Sequence, residues 1–179
     1  MVLYIVDKRI ENAEPGLVMG IPKGKHSARS DVLFVQVDNV GLGMGKVVQK
    51  AVTAMKKYSK DNQSSSSIDF LSIDAHGTGG SVQLGVGLWE GNAHYFSALR
   101  GLMASGGVCE IDACSVADIN SNADADVGTG NGEQLLARLS IALQCKVRAA
   151  KETQYGDDIG EFEGVWITAH PPSGVLTSG

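Results

Sequence analysis

Residues 106–118 read GGVCEIDACSVAD. The short apolar run Val108-Cys109-Glu110-Ile111 reads as a buried strand, and it ends at Asp112-Ala113-Cys114. In open α/β sheets the chemistry gathers just past the C-terminal ends of the strands, so Cys114 stands where such a fold puts a reactive group. Residues 68–80 have the same form, IDFLSID followed by AHGTGG. If the two strands are neighbours in a parallel sheet, about 4.8 Å apart, His76 and Cys114 emerge together at one edge of it. The expectation is a thiol–imidazole pair carried by a scaffold of alternating strands and helices.

Working outward, Val2–Val6 (VLYIV) and Asp31–Asp38 (DVLFVQVD) read as buried strands, the second with the near-continuous apolar character of a sheet covered on both faces. Residues 46–60 read as an amphipathic helix, with Val47, Val48, Ala51, Val52, Met55 and Tyr58 on one side and lysines on the other. A polar connector at 61–67 (DNQSSSS) leads into the His76 strand. Ser81–Leu84 and Val86–Trp89 alternate across Gly85 as a small hairpin or twisted edge. Asn92–Ala104 reads as a second amphipathic helix, and Asn131–Leu143 as a third that opens on an Asn131/Gln134 capping pair. Strands are expected at Cys145–Ala149 and Phe162–Ala169, and a frayed tail at 171–179 after Pro171-Pro172. This order predicts one domain over residues 1–179. Its fold class is α/β, a three-layer α/β/α sandwich with a mostly parallel central sheet and helices on both faces.

Bulk properties narrow the function. At 179 residues the chain is long enough to bury about 70% of its unfolded surface without disulfide or metal support. The net charge of −5 argues against a nucleic-acid or anionic-membrane partner, because both attract a basic face. No apolar run reaches the roughly 20 residues of a membrane span. The N-terminal MVLYIVDKRIE lacks the basic start of a signal peptide, so a cytoplasmic location is expected, with secretion by another route as the alternative. Three cysteines without CxxC spacing read as free thiols. Lys23, Lys25, His26 and Arg29 form a small basic cluster, read as a solvated loop. Gly41–Lys46 (GLGMGK) is one residue short of a phosphate loop, and Val47 stands where a magnesium-binding Ser or Thr belongs, so it reads as the entry to a helix.

A free thiol has a pKa of about 8.5 and needs a neighbouring imidazole or helix N-terminus to become a nucleophile at neutral pH. His76 is the candidate base, and it is also the candidate acid for the leaving amine. Peptide N–H groups near Gly77 and Cys114 are candidates to hold an oxyanion. The competing reading of the same residues is a buried structural cysteine with an unrelated histidine.

Ala75-His76-Gly77 after one hydrophobic strand, then Asp112-Ala113-Cys114 after the next core strand, resembles the caspase-like (clan CD) cysteine peptidases. These include caspases, metacaspases and clostripain-type enzymes. The stretch from about 68 to 150, with the GEQLLARL helix and the CKVRAA strand, also resembles a bacterial caspase-like domain found at the start of large surface proteins. The resemblance implies a thiol protease (hydrolase) of α/β/α architecture, with Cys114 as nucleophile, His76 as general base and acid, and the Gly77 N–H in the oxyanion hole. Asp112 matches the metacaspase Asp-Xaa-Cys, which implies cleavage after Arg or Lys, with Asp74 and Ser115 beside it as substrate-binding positions. Ser115-Val116-Ala117 departs from the metacaspase His-Ser-Gly. No Lys or Arg lies between Arg100 and Arg138, so an enzyme specific for basic residues has no site of its own in the loop after Cys114.

The expected partner is a peptide or protein substrate, with no nucleic acid and no membrane, and no cofactor or metal is expected. Calcium is the alternative raised by Asp118–Asp126, where oxygen ligands recur at every second position. Counted from Asn122, Glu133 falls at position twelve, but Val127 occupies the place of the required glycine. Zinc lacks ligands, because Cys114 and His76 make only two. A catalytically silent caspase-like module that binds a partner is the alternative to a peptidase. A flavodoxin-like ligand-binding domain is a third reading, and it lacks a phosphate loop.

Overall fold

A computed structural model of the chain describes residues 1–10, 31–63, 66–119, 130–152 and 164–179. In chain order its elements are β1 (Val2–Asp7), β2 (Val32–Val37), α1 (Met44–Asp61), β3 (Ile68–Asp74), β4 (Gly77–Thr78), β5 (Ser81–Val82) and β6 (Leu88–Trp89). A 3₁₀ helix (Ala93–Leu102), β7 (Met103–Asp112), α2 (Gly132–Leu143), β8 (Lys146–Ala150), β9 (Trp166–His170) and β10 (Val175–Ser178) follow. Seven strands form one sheet in the order β10-β9-β8-β7-β3-β1-β2, and β4-β5-β6 form a small second sheet. From β2 to β8 every pairing is parallel, and β9 and β10 close the other edge antiparallel. The mixed α/β class and the mostly parallel sheet are as expected.

The register sorts the side chains. Leu3 and Ile5 of β1, Leu71 and Ile73 of β3, Cys109 and Ile111 of β7, and Val147 and Ala149 of β8 fill one face. All three described helices pack on that face. α1 buries Met44, Val47, Val48, Ala51, Val52 and Met55, a stripe of alternating three- and one-residue steps. α2 adds Leu135, Leu136, Leu139 and Leu143, and Asn131 caps it by accepting from the Gln134 N–H at 3.0 Å. The opposite face begins apolar, with Val2, Tyr4 and Phe70, and turns polar along Ser72, Glu110 and Arg148. There Glu110 and Arg148 form an ion pair, and the Arg148 guanidinium lies 4.7 Å from the centre of the Trp166 ring. The expected helical layer on this second face is not among the described residues.

Two further expectations are corrected. The helix expected over Asn92–Ala104 is a 3₁₀ helix that stops at Leu102, and Met103 already begins β7. Its fully buried residues, Ala93, Phe96 and Leu99, are three apart, the period of a 3₁₀ turn, while Tyr95 stays exposed. Its Arg100 reaches across to the Ile141 and Ala142 carbonyls at the end of α2. The tail is not frayed. The chain turns between Pro171 and Gly174, and β10 pairs antiparallel with β9, so that Leu176 packs against the core. Of the last expected strand, 166–169 fall in β9, while 162–163 lie outside the described residues. Of the connector, Asp61 ends α1, and 64–65 lie outside the described residues. Among the described residues no helix is long and apolar enough to cross a membrane.

Candidate functional site

β3 and β7 are parallel neighbours with Asp74 directly opposite Asp112. His76 and Cys114 each lie two residues further along the chain, beyond adjacent strand ends about 4.8 Å apart. The two exits stay in contact: the Ala75 N–H donates to the Asp112 carbonyl at 3.3 Å. A Cβ at Gly77 would lie 2.5 Å from the Cys114 carbonyl oxygen and 2.9 Å from the Ala113 Cβ, so only glycine fits there. His76 and Cys114 are both half-buried, and Cys114 is in no disulfide.

Backbone bonds hold both loops. The Gln83 N–H donates to the His76 carbonyl at 2.7 Å, and Gly77 pairs with Val82. In an antiparallel ladder bonded and non-bonded pairs alternate, so the Gly77 N–H is directed away from β5. Past the cysteine, Ser115 takes a left-handed conformation with φ of 52°. Its N–H is taken by the Glu152 carbonyl at 2.9 Å, and the Ala117 N–H by the Ala150 carbonyl at 3.0 Å. The Gly80 N–H donates to the Val116 carbonyl at 3.1 Å. The Cys114 loop is therefore clamped between the exit of β8 and the small sheet. Of the amides around Gly77 and Cys114, that of Gly77 points away from its hairpin, and that of Ser115, which follows the cysteine, is engaged.

Asp74 and Asp112 project from the polar face of the sheet, with Tyr4 and Ser72 on the neighbouring positions. Burial and then the negative charge of Asp112 push the Asp74 carboxyl up to about 7, against the hydrogen bond it accepts from the Ser72 hydroxyl. Burial also raises Asp112, although the residue as a whole keeps an exposed surface. Burial and the same two carboxylates push the Tyr4 hydroxyl up to about 12. Two carboxyl groups this close do not both ionise freely, so the pair holds a proton towards neutral pH.

One cluster at this edge was not legible in the sequence. Asp7, buried at the end of β1, accepts from Arg9 Nε at 2.8 Å and from the Gly85 N–H at 2.9 Å, and Arg9 in turn donates to the Gln83 and Gly85 carbonyls. Burial pushes the Asp7 carboxyl up, but the bonds from Arg9 and Gly85 outweigh it and hold the group below the usual carboxylate range. The network ties the loop after β5 to the sheet. In sequence Asp7-Lys8-Arg9 looks like ordinary surface charge at a strand end.

The other two cysteines belong to the core. Cys109 and Cys145 are free and buried, and burial raises both thiols. The two are neighbours: Cys145 adds to the rise at Cys109, while a hydrogen bond from the Cys109 backbone partly offsets the rise at Cys145. The basic cluster at 23–29 and residues 120–129 of the calcium candidate lie outside the described residues. Glu133, the candidate twelfth ligand, pairs with Lys151 at 3.3 Å. Among the described residues no group of three His, Cys, Asp or Glu side chains stands ready to hold a metal. No protein-family model, no curated protein and no solved structure matches the chain.

Proposed function

We propose that the protein is a cysteine endopeptidase of caspase-like architecture that cleaves after Arg or Lys. The observation that supports this reading is the β3–β7 pairing, which brings the strands leading to His76 and Cys114 out side by side at one sheet edge. The thiol of Cys114 passes its proton to the His76 imidazole, and the thiolate attacks the scissile carbonyl carbon. Negative charge gathers on the carbonyl oxygen, and the Gly77 N–H, directed away from its hairpin, stabilises it. The imidazolium protonates the departing amine, which leaves a thioester on Cys114. Water, deprotonated by His76, attacks the thioester, and the proton returns to the thiol. The Asp74–Asp112 pair offers anionic oxygen acceptors to the basic side chain ahead of the cut bond.

The test is hydrolysis of fluorogenic peptides ending in Arg, Lys or Asp by the wild-type chain, Cys114→Ala and His76→Ala. The expected result is cleavage after Arg or Lys that both substitutions abolish. Cleavage after Asp keeps the peptidase and removes Asp112 from specificity. No cleavage of any peptide, with a Cys114 thiol slow toward iodoacetamide, overturns the enzyme in favour of a silent binding module.

A further inference from the structure

A second surface lies at the β2 edge of the sheet, two strands from the His76 strand. A shallow groove of about 470 Å³ runs between β2 and α1. Its rim carries Lys46, Lys50 and Lys57, and no Asp or Glu lines it. α1 holds five of the chain's 15 lysines and arginines against a single acid, Asp61, in a protein of net charge −5. The bonds to β1 fall on alternate residues of the strand and its lead-in: the Asp31 carbonyl accepts from Val2 and the Val37 carbonyl from Lys8, each at 3.0 Å. The N–H and C=O groups of Val32 and Phe34 therefore point away from the sheet, and among the described residues no strand pairs with them.

We propose that this edge docks an extended acidic segment of a partner protein, which adds to β2 as a further strand and sets its carboxylates against Lys46, Lys50 and Lys57. Sheet edges are normally blunted by charged residues or proline on the edge strand itself. β2, VLFVQV, has neither, and its Phe34 is 44% exposed, stacked on Tyr4 with ring centres 4.9 Å apart. The charge stands instead on the neighbouring helix, where it selects what pairs. Lys50 shows the reach required: its Nζ donates to the Gln36 carbonyl at 3.2 Å and lies 3.7 Å from the Asp38 carboxylate. A second copy of this chain is the wrong occupant, because pairing β2 with β2 brings two lysine rows together. In strand addition main-chain bonds supply affinity and side chains supply specificity, so an uncharged edge beside a cationic rim fits an acidic strand.

The experiment is fluorescence anisotropy of the full chain with a labelled peptide alternating glutamate and valine. Saturable binding is expected, and Lys46→Glu combined with Lys57→Glu, both exposed positions, should weaken it about tenfold. The same peptide N-methylated at alternate backbone nitrogens, or carrying lysine for glutamate, should fail to bind. Absence of saturable binding overturns the proposal, as does undiminished binding of either control peptide. A DNA duplex that displaces the peptide and binds as tightly also overturns it, since the surface is then a general polyanion patch rather than a strand-pairing edge.

Discussion

Gly77 is the residue at which the two candidate catalytic loops meet. A methyl group there faces the Cys114 carbonyl, which is backbone and cannot turn aside, with Val116 Cγ2 at 2.8 Å and the Ala113 Cβ at 2.9 Å behind it. One loop must move by about 1 Å, a displacement that in enzymes costs on the order of 100-fold in rate. Gly77→Ala is therefore expected to lose about that factor in kcat/KM on Arg-ending peptides. Overpacking of this size costs about 1–3 kcal/mol, so the variant should still fold, which thermal unfolding run alongside checks. A folded Gly77→Ala chain with wild-type activity would show that the loops touch without depending on each other. The His-Gly pair was legible in the sequence as a motif, but the crowding that demands glycine was not, because it is made by residues more than thirty positions away. The left-handed Ser115 was equally hidden, since nothing in Cys-Ser-Val distinguishes a strained serine from a relaxed one.

At the scale of elements, the β3–β7 register sets two carboxylates opposite each other, and that pairing has a pH signature. Asp74 titrates near 3.9 in an unfolded chain and near 7 in the folded one, raised first by burial and then by Asp112. Between those values the folded state holds a proton that the unfolded state has released, so the contribution of this group to stability is fullest below about pH 4 and is lost as pH rises through 7. Asp74→Asn removes this loss. Its urea midpoint should exceed that of the wild type by on the order of 1–3 kcal/mol of stability at pH 7.5, and the gap should close on acidification. A gap that stays constant from pH 4 to 8 would dissociate Asp74 from any such proton. The two strands were legible because each is an apolar run ending in polar loop residues, and a parallel neighbour follows from the intervening crossover. The 3₁₀ helix reads as an α-helix in sequence because Tyr95, Phe96, Leu99 and Leu102 also satisfy the α-helical period. Only the burial of Ala93, Phe96 and Leu99, three apart, separates the two.

In the whole molecule one sheet serves two purposes. Its helix-covered face supplies the core, and its C-terminal edge gathers the Asp7–Arg9 tie, His76, Cys114 and the exit of β8, which clamps the Cys114 loop. That division was legible in the alternation of apolar runs and helices. The pairing of β10 was not, because Pro171-Pro172 marks a stop and the strand's partner is set by the turn it makes. The sequence also carries a consequence for the intact protein. Between Arg100 and Arg138 there is no Lys or Arg, and this interval holds all of β7 below Cys114, the loop after it and the start of α2. A peptidase specific for basic residues cannot cut its own chain there, so the active form should keep Cys114 covalently joined to β7 and to the first residues of α2, up to Arg138. Its Cys114 loop is already held by Glu152 and Ala150 carbonyls without a cut to release it. Mass spectrometry of the chain after full turnover of an Arg-ending peptide should find residues 101–137 on one uninterrupted fragment, with any new termini following Lys or Arg elsewhere. A cut within 101–137 that Cys114→Ala prevents would contradict the basic specificity, and with it the assignment of Asp112 to the side chain ahead of the scissile bond.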